Sequence, residues 1–182
     1  MSARLSPAWV ATLVAVPVAL ASAVVSVWLF SDFRTHPSRA ASTARPQATS
    51  PVSMPAAPLD DRRATACRGL VDHLPPALRD RPRRPVTAGT DQNAAYGDPP
   101  LTVSCGVAAV TPPTGATVYQ LSGVCWYAQS GGDGTVWTSV DRETPVRVDV
   151  PGSYDSPGQW VVEFSAPVSA VLPPIPNPPG GC

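Results

Sequence analysis

An uninterrupted apolar run near the N-terminus constrains the fold of this chain more than any other feature. The run extends from Ala8 to Phe30 and contains no charged residue. As an α-helix its 23 residues would rise about 34 Å, which is enough to cross the roughly 30 Å hydrocarbon core of a membrane. Trp9 and Trp28 lie near its two ends, as expected of residues at a membrane interface. The run therefore predicts a transmembrane signal-anchor helix over residues 8–30, with residues 1–7 in the cytoplasm.

The same run is open to a second interpretation, as a cleaved signal peptide. Arg4 precedes it, and Ala19–Ala21 or Ala21–Ala23 resembles a signal peptidase site. Cleavage there would leave the apolar stretch from Val24 to Phe30 on the mature N-terminus. We therefore expect an uncleaved anchor, with secretion after cleavage as the alternative.

Flanking charges do not fix the orientation of this segment, but the cysteines indicate it. Arg4 lies before the run, and Arg34 and Arg39 lie after it. Farther along, the chain carries four cysteines and no C-x-x-C pair, namely Cys67, Cys105, Cys125 and Cys182. An even number of cysteines without metal-site spacing is typical of disulfides in an oxidising compartment. We therefore expect a single-pass protein of the cell membrane whose C-terminal domain is extracytoplasmic.

The rest of the chain divides into a linker, a domain and a tail. Residues 31–59 are rich in Pro, Ala, Ser and Thr, and they bury too little apolar surface to offset the entropy of ordering them. Their prolines favour extended polyproline II, which predicts a disordered but semi-rigid spacer. Residues 60–172 are expected to form one extracytoplasmic domain, followed by a Pro/Gly-rich tail over residues 173–182. The formal net charge is zero, so nothing indicates a nucleic-acid partner.

Periodicity within residues 60–172 predicts a helix, four antiparallel strands and a second helix. Asp60 or Asp61 is expected to cap the first helix, which Pro75 ends. The strands are expected at 101–107, at 118–128 with a kink at Gly123, at 136–140 and at 145–150, and a Gly131–Gly134 turn joins the second to the third. Ser156 and Pro157 begin the second helix. The predicted fold class is α+β, a two-layer sandwich of a small antiparallel four-stranded sheet with both helices on one face, preceded by the transmembrane helix.

Several short motifs in this region resemble a known family. The strings are Tyr96-Gly97-Asp98-Pro99-Pro100, Ser104-Cys105-Gly106-Val107, Gly123-Val124-Cys125-Trp126 and Pro145-Val146-Arg147-Val148-Asp149-Val150-Pro151, preceded by Ala66-Cys67-Arg68-Gly69-Leu70. In order and spacing they resemble an uncharacterised actinobacterial family catalogued as domain of unknown function 3515. The resemblance spans the chain from Cys67 to Phe164, and it implies a membrane-anchored or secreted protein without known catalytic residues.

The resemblance also bears on the cysteines. Cys67 and Cys105 match the usual pair of that family, which implies a Cys67–Cys105 disulfide between the first helix and the first predicted strand. Cys125 and Cys182 are additional. They are either a second disulfide, or Cys182 is a free terminal thiol or an intermolecular link.

No residue pattern in the sequence points to a catalytic or metal centre. His36 lies in the linker and His73 at the end of a predicted helix, which leaves too few histidines for a metal site or a Ser-His-Asp triad. We therefore predict no metal, no cofactor and no catalytic residue.

Two groups of residues are candidates for binding. The first is the basic stretch Arg79, Arg81, Arg83 and Arg84, of which Arg81, Arg83 and Arg84 are the predicted binding residues. Their guanidinium groups would match phosphate or carboxylate groups of envelope polymers; the alternative is a solvated loop. The second is the neighbouring pair Trp126 and Tyr127, with Trp137 close to them in the next predicted strand. Neighbouring residues of a strand point to opposite faces, so one of the two belongs to the core and the other is available as a surface platform. The alternative is that both serve packing alone.

These observations favour a non-enzymatic binding or accessory module of the cell envelope. The expected partners are the cell membrane, through residues 8–30, and an envelope polymer or a membrane protein. The alternative is a small envelope hydrolase or transferase that uses the carboxylates of Asp98, Asp141 or Glu143. A third hypothesis is a scaffold within a larger membrane complex. A cleft in which one of those carboxylates, with a shifted pKa, converges with another polar group would favour the enzyme, whereas carboxylates scattered on the rim of a closed sheet face would favour binding.

Overall fold

A computed structural model describes residues 47–180 and Cys182. The predicted signal-anchor helix over residues 8–30 lies outside the described residues, as does the first part of the predicted linker. Among the residues that are described, no helix combines the length and the apolar character needed to cross a membrane.

The predicted four-stranded sheet is wrong, because the sheet has eight strands. Their spatial order is β1-β2-β3-β4-β8-β7-β6-β5, and every neighbouring pair is antiparallel. The strands are β1 (Ala77–Leu78), β2 (Arg81–Arg84), β3 (Asn93–Tyr96), β4 (Leu101–Cys105), β5 (Val118–Leu121), β6 (Val124–Gly131), β7 (Gly134–Ser139) and β8 (Val146–Pro151). The sheet therefore consists of two four-stranded meanders, β1–β4 and β5–β8, which meet where β4 pairs with β8.

The strands absent from the prediction have sequences that do not alternate. β2 reads Arg-Pro-Arg-Arg, and charged residues and proline are poor strand formers. β3 reads Asn-Ala-Ala-Tyr, and all four of its residues are buried because both of its faces are covered. The predicted kink at Gly123 is instead a two-residue turn between β5 and β6, with positive φ at Ser122 (45°) and Gly123 (78°). The single strand expected over residues 118–128 is therefore a hairpin of two strands, β5 and β6.

Both predicted helices are present, and they cover one face of the sheet. α1 is Asp61–His73, capped by the Asp60 side chain, and α2 is Gly158–Val171. The apolar residues of both helices pack on the alternate residues of the central strands that point toward them. This core includes Leu70, Trp126, Val148, Val161 and Phe164, each of which is fully buried. We call the covered side the helix face of the sheet.

A short segment crosses the opposite face of the sheet near β2 and β3, and we call residues 50–57 the strap. Val52 and Met54 are buried against Ala95 of β3. The side-chain amide of Asn93 donates to the carbonyl of Pro55 (2.8 Å), and that of Gln92 donates to the carbonyl of Ala57 (3.2 Å). The compact unit of the structure comprises Gln47–Cys182, and the strap is part of it.

The prediction of disulfides is confirmed, and all four cysteines are paired. Cys67 of α1 is bonded to Cys105 of β4, with their Cα atoms 5.5 Å apart. Cys125 of β6 is bonded to Cys182, with their Cα atoms 5.8 Å apart. The first bond links the helix layer to the sheet, and the second links the tail to the sheet.

Candidate functional site

A pocket opens at the β1–β2 end of the molecule, between the first turn of the sheet and the start of α2. We call it the edge pocket, and it has a volume of about 440 Å³. Its lining residues come from three parts of the chain: Arg79 and Arg81, Asp98 and Pro99, and Ser153, Tyr154, Asp155 and Trp160. It brings two guanidinium groups and two aromatic rings together, and both kinds of group can contact a polar ligand.

The aromatic rings of the edge pocket form a fixed wall. Tyr154 and Trp160 meet edge to face, with ring centroids 4.9 Å apart. The Tyr154 hydroxyl donates to the carbonyl of Pro99 (2.8 Å), and the Trp160 indole N–H donates to the carbonyl of Asp155 (3.2 Å). Burial raises the pKa of Tyr154, while the nearby positive charge of Arg81 acts in the opposite direction. Both rings are therefore held by packing and by hydrogen bonds, and neither is free to swing.

The two arginines of the edge pocket lie on these rings. The Arg79 guanidinium carbon is 4.5 Å from the centre of the Trp160 ring, and that of Arg81 is 5.6 Å from the centre of the Tyr154 ring. Arg79 also donates to the carbonyl of Gln159 (3.1 Å). Cation–π contact holds a guanidinium in place while leaving N–H groups at its edge for other partners.

The side chains of Arg79, Arg83 and Arg84 each donate at least one hydrogen bond, whereas that of Arg81 donates none to any described residue. Its Nε lies 3.4 Å from a carboxylate oxygen of Asp80, but that buried N–H has no hydrogen-bond partner among the described residues. Among the described residues its terminal N–H groups also donate no hydrogen bond. A buried donor without a partner is costly, so such a group is a candidate for a ligand contact.

The structure separates the three predicted arginines. Arg84 is buried and donates to the carbonyls of Ser50 (2.8 Å) and Gly97 (2.8 Å). Arg83 donates to the carbonyl of Val71 (3.2 Å), near the end of α1. Because β2 is extended, its successive side chains point to opposite faces of the sheet. Of the three predicted arginines, Arg81 alone reaches the edge pocket.

Trp126 and Tyr127 also point to opposite faces of β6. Trp126 is fully buried on the helix face, and its indole N–H donates to the Ser165 hydroxyl (2.9 Å). Tyr127 lies half-buried on the other face, beside Val118 and Thr138 in the neighbouring strands. The two residues are therefore not part of one site, and neither lines the edge pocket.

The three carboxylates of the alternative enzyme hypothesis lie in different environments. Asp98 lines the edge pocket. Asp141 is buried, accepts from the backbone N–H of Cys125 (3.0 Å) and lies beside Arg142. Glu143 is exposed and forms an ion pair with Arg62. No two of these carboxylates meet in a common pocket.

A second cavity, the sheet groove, lies between the strap and the centre of the sheet. It has a volume of about 340 Å³, and its floor includes Thr102, Ser104, Arg147 and Asp149. The guanidinium of Arg147 donates to the carboxylate of Asp149 at 2.6–3.0 Å. Because these charged groups already satisfy each other, the groove offers fewer unused donors than the edge pocket.

Sequence reasoning missed Tyr154 and Trp160 of the edge pocket as binding residues, and from the basic stretch it selected Arg81, Arg83 and Arg84 rather than Arg79. Arg79 belongs to the basic stretch but sits in the turn between β1 and β2, at a φ of 54°. Trp160 fits the apolar stripe of α2, which indicated only packing. The charge of Arg79 was visible in the sequence, but the strands that place it over Trp160 were not.

These features define a disulfide-linked α+β domain with one antiparallel sheet and a cationic–aromatic pocket at its edge. The chain belongs to the family described as protein of unknown function (DUF3515), whose model matches residues 12–177. Cys182 lies beyond the matched residues. No curated protein matches the chain. No solved structure matches it either. The actinobacterial source stays a prediction.

Proposed function

We propose that the protein is an extracytoplasmic module of the cell envelope, that it acts by binding, and that its edge pocket recognises phosphate or carboxylate groups. The observation that carries this proposal is the Arg81 guanidinium, which is held on the Tyr154 ring with N–H groups that no described residue uses. A guanidinium fork matches the oxygen pairs of both anions. In this proposal the apolar run over residues 8–30 directs export, either as a retained anchor or as a cleaved signal.

The disulfides support the extracytoplasmic part of the proposal. Disulfides persist in oxidising compartments and are rare in the cytosol. All four cysteines of this chain are engaged, and the two pairs join parts of the domain 38 and 57 residues apart. Such long-range links are typical of structural disulfides, which stabilise small domains that leave the cell.

The charges around the edge pocket determine how it would bind an anion. Arg79 lies 3.5 Å from Glu163, and Arg81 lies 3.4 Å from Asp80. Asp98 adds a further negative charge to the lining. Because these acids offset the arginines, the pocket has little long-range attraction for anions. Recognition would therefore depend on short hydrogen bonds to Arg81 and would fall only weakly as salt is added.

The separation of the carboxylates supports binding over catalysis. Acid–base chemistry by two carboxylates requires both to reach the same substrate. Asp98, Asp141 and Glu143 lie in three different places. Asp141 accepts a hydrogen bond from the backbone N–H of Cys125, and Glu143 is paired with Arg62. In the described part of the chain, the observation that favours the hydrolase or transferase alternative is that Asp98 shares the edge pocket with other polar side chains, among them Arg81 and Asp155.

Replacing Arg81 tests the binding part of the proposal. The full-length protein is incubated with an isolated cell-wall fraction, and the bound share is measured with and without added inorganic phosphate. Arg81→Ala should weaken binding by about 10- to 100-fold, the loss expected for hydrogen bonds to a charged group. Asp98→Asn should strengthen binding, since it removes a competing negative charge. Arg68→Ala is the matched control, because Arg68 is exposed on α1 and pairs with Asp91.

Unchanged wall binding in Arg81→Ala would overturn the binding proposal. Replacing Arg83 or Arg84 does not serve as a test, because both side chains donate hydrogen bonds to backbone carbonyls and their loss would disturb the fold. Export is tested separately by labelling thiols on intact cells with a membrane-impermeant reagent, before and after reduction. The proposal requires labelling only after reduction, whereas four free cysteines would count against it.

A further inference from the structure

The strand β5 forms one edge of the sheet, so it has a neighbouring strand, β6, on one side only. On its inner side it pairs with β6, from Val118 with Tyr127 to Leu121 with Val124. No hydrogen bond from another described residue reaches its outer side. An edge of this kind presents unpaired N–H and C=O groups, which form a template for another strand.

This edge is short, but it lacks the charged residues and prolines that commonly prevent strand pairing. Natural edge strands are protected by charged side chains, by proline or by bulges. The sequence contains no charged residue from Val107 to Gly132, a stretch that includes the whole of β5 and β6. β5 itself reads Val-Tyr-Gln-Leu, without proline or charge. Two such edges would meet without like-charge repulsion.

An exposed aromatic residue marks the centre of this edge. Tyr119 has a relative exposure of 44%, and among the described residues no other large hydrophobic side chain is classed as exposed. Its ring lies 5.2 Å from that of Trp137 on the helix face. Isolated exposed aromatics are ordinary, but one placed in the middle of an unprotected edge strand adds apolar surface where a partner strand would lie.

The hydrogen-bond pattern fixes which residues of β5 face outward. The backbone of Cys125 is used on the β7 side, since its carbonyl accepts from Val140 N–H (2.9 Å) and its N–H donates to Asp141 (3.0 Å). Gln120, which lies opposite Cys125, therefore directs its own N–H and C=O outward. Since these directions alternate along a strand, the backbone of Val118 also faces outward.

We propose that β5 pairs antiparallel with β5 of a second copy of this chain, across a two-fold axis at Tyr119. In this register Val118 of each copy lies opposite Gln120 of the other, so that the outward groups form two hydrogen-bonded pairs. The two Tyr119 residues then lie directly opposite each other, in the non-hydrogen-bonded position where Cα atoms approach to about 4.5 Å. The same strand serves both copies, as a two-fold interface requires.

The size of this contact indicates a reversible association. β5 has four residues, so one strand pair buries far less than the roughly 1,200–2,000 Å² of a standard stable interface. We therefore expect the two copies to exchange, and a covalent trap is better suited to detecting them than a size measurement.

A cysteine at the axis provides that trap. Full-length Tyr119→Cys is produced in cells, a mild oxidant is added, and chains are separated without reduction. The opposed Cα atoms, about 4.5 Å apart, lie within disulfide reach. Gln120→Cys is the matched control, because its two copies would be about 7–8 Å or more apart, beyond that reach. The proposal requires several times more disulfide-linked dimer from Tyr119→Cys than from Gln120→Cys.

A second variant tests whether the link depends on strand pairing. The outward N–H of Gln120 has no role within its own sheet, so Gln120→Pro leaves the fold intact and removes a donor to the second copy. Adding it to Tyr119→Cys should abolish the excess dimer. Equal dimer from both cysteine variants, dimer that survives Gln120→Pro, or links from Tyr119→Cys only to other proteins would each overturn the proposal. Because oxidant is supplied, the outcome does not depend on export or on the edge pocket.

Discussion

At the scale of single residues, position in the fold determines what each arginine of one basic stretch does. Arg79, Arg81, Arg83 and Arg84 follow closely in sequence, yet they face an aromatic pocket, a helix end and the strap. Arg84 is 8% exposed and holds the strap to the turn after β3 through the carbonyls of Ser50 and Gly97. Residue type alone could not have separated these roles.

Replacing Arg84 should destabilise the domain. Arg84→Ala removes the buried donors of two carbonyls, at an expected cost of about 2–4 kcal/mol in the free energy of unfolding. Arg68→Ala, which breaks an exposed pair with Asp91, should cost less than about 1 kcal/mol. Urea unfolding of the purified variants measures both. Equal losses would contradict a structural role for Arg84.

Tyr96 should make the stability fall at alkaline pH. Burial raises the pKa of its hydroxyl to about 12 in the folded protein, from 10.0. Above pH 10 the unfolded chain loses this proton first, so the stabilising contribution is complete below pH 10 and is lost as pH rises toward 12. The whole loss is about 2–3 kcal/mol at 1.36 kcal/mol for each pKa unit.

The comparison for this prediction is Tyr96→Phe. It loses the hydrogen bond to the carbonyl of Pro75 (2.9 Å), which should cost about 1 kcal/mol at neutral pH. Because the parent protein then loses about 2–3 kcal/mol that Tyr96→Phe does not lose, the difference in stability between the two proteins should close above pH 10 and reverse toward pH 12. Urea midpoints measured across that range test this, and parallel curves would show that Tyr96 does not titrate as expected.

At the scale of elements, strands were predictable from the sequence where one face is exposed to solvent. They were not predictable where both faces are buried, as in β3, or where the strand itself is charged, as in β2. β8 alternates between buried Val146, Val148 and Val150 and the more exposed Arg147 and Asp149, and its pattern is visible in the sequence. β3 is covered by helices on one side and by the strap on the other, so its small residues show no alternation. The expected kink at Gly123 is a turn because two adjacent residues adopt positive φ.

Gly123 should be more sensitive to substitution than the glycine at the tip of the next hairpin. Gly123→Ala places a Cβ at a φ of 78° and 3.3 Å from the Ser169 hydroxyl oxygen. The expected cost is about 1–2 kcal/mol. Gly132→Ala is the control, because its Cβ would have no heavy atom within 4 Å. Thermal unfolding compares the two, and a larger loss at Gly132 would contradict the assigned turn.

At the scale of the whole molecule, the disulfides connect layers that the chain order leaves far apart. Cys67–Cys105 joins α1 to β4 across 38 residues, and Cys125–Cys182 joins β6 to the tail across 57. The tail is also held by backbone hydrogen bonds from Glu143 to Pro173 (3.0 Å) and from Ile175 to Asp141 (2.9 Å). The tail is therefore attached to the sheet by hydrogen bonds and by a disulfide.

Removing the first disulfide should weaken the fold as a whole. Replacing Cys67 and Cys105 together by Ala removes a constraint on the unfolded chain that is worth about 4 kcal/mol. The urea midpoint should fall and the slope should rise, because the unfolded chain without this link is less compact and exposes more surface. A variant with the same midpoint as the parent protein would show that the bond contributes nothing to stability.

The sequence by itself determined what depends on local pattern: the helix start at Asp60, the strand alternation of β8, the hairpin at Gly131–Gly134 and the presence of disulfides. These depend on neighbouring residues or on composition, which a single chain displays directly. The tertiary structure alone decided the eight-strand order, the packed strap, the separate roles of the arginines and the edge pocket. Each of those depends on contacts between residues far apart in the chain, and a residue's own neighbours carry no record of them.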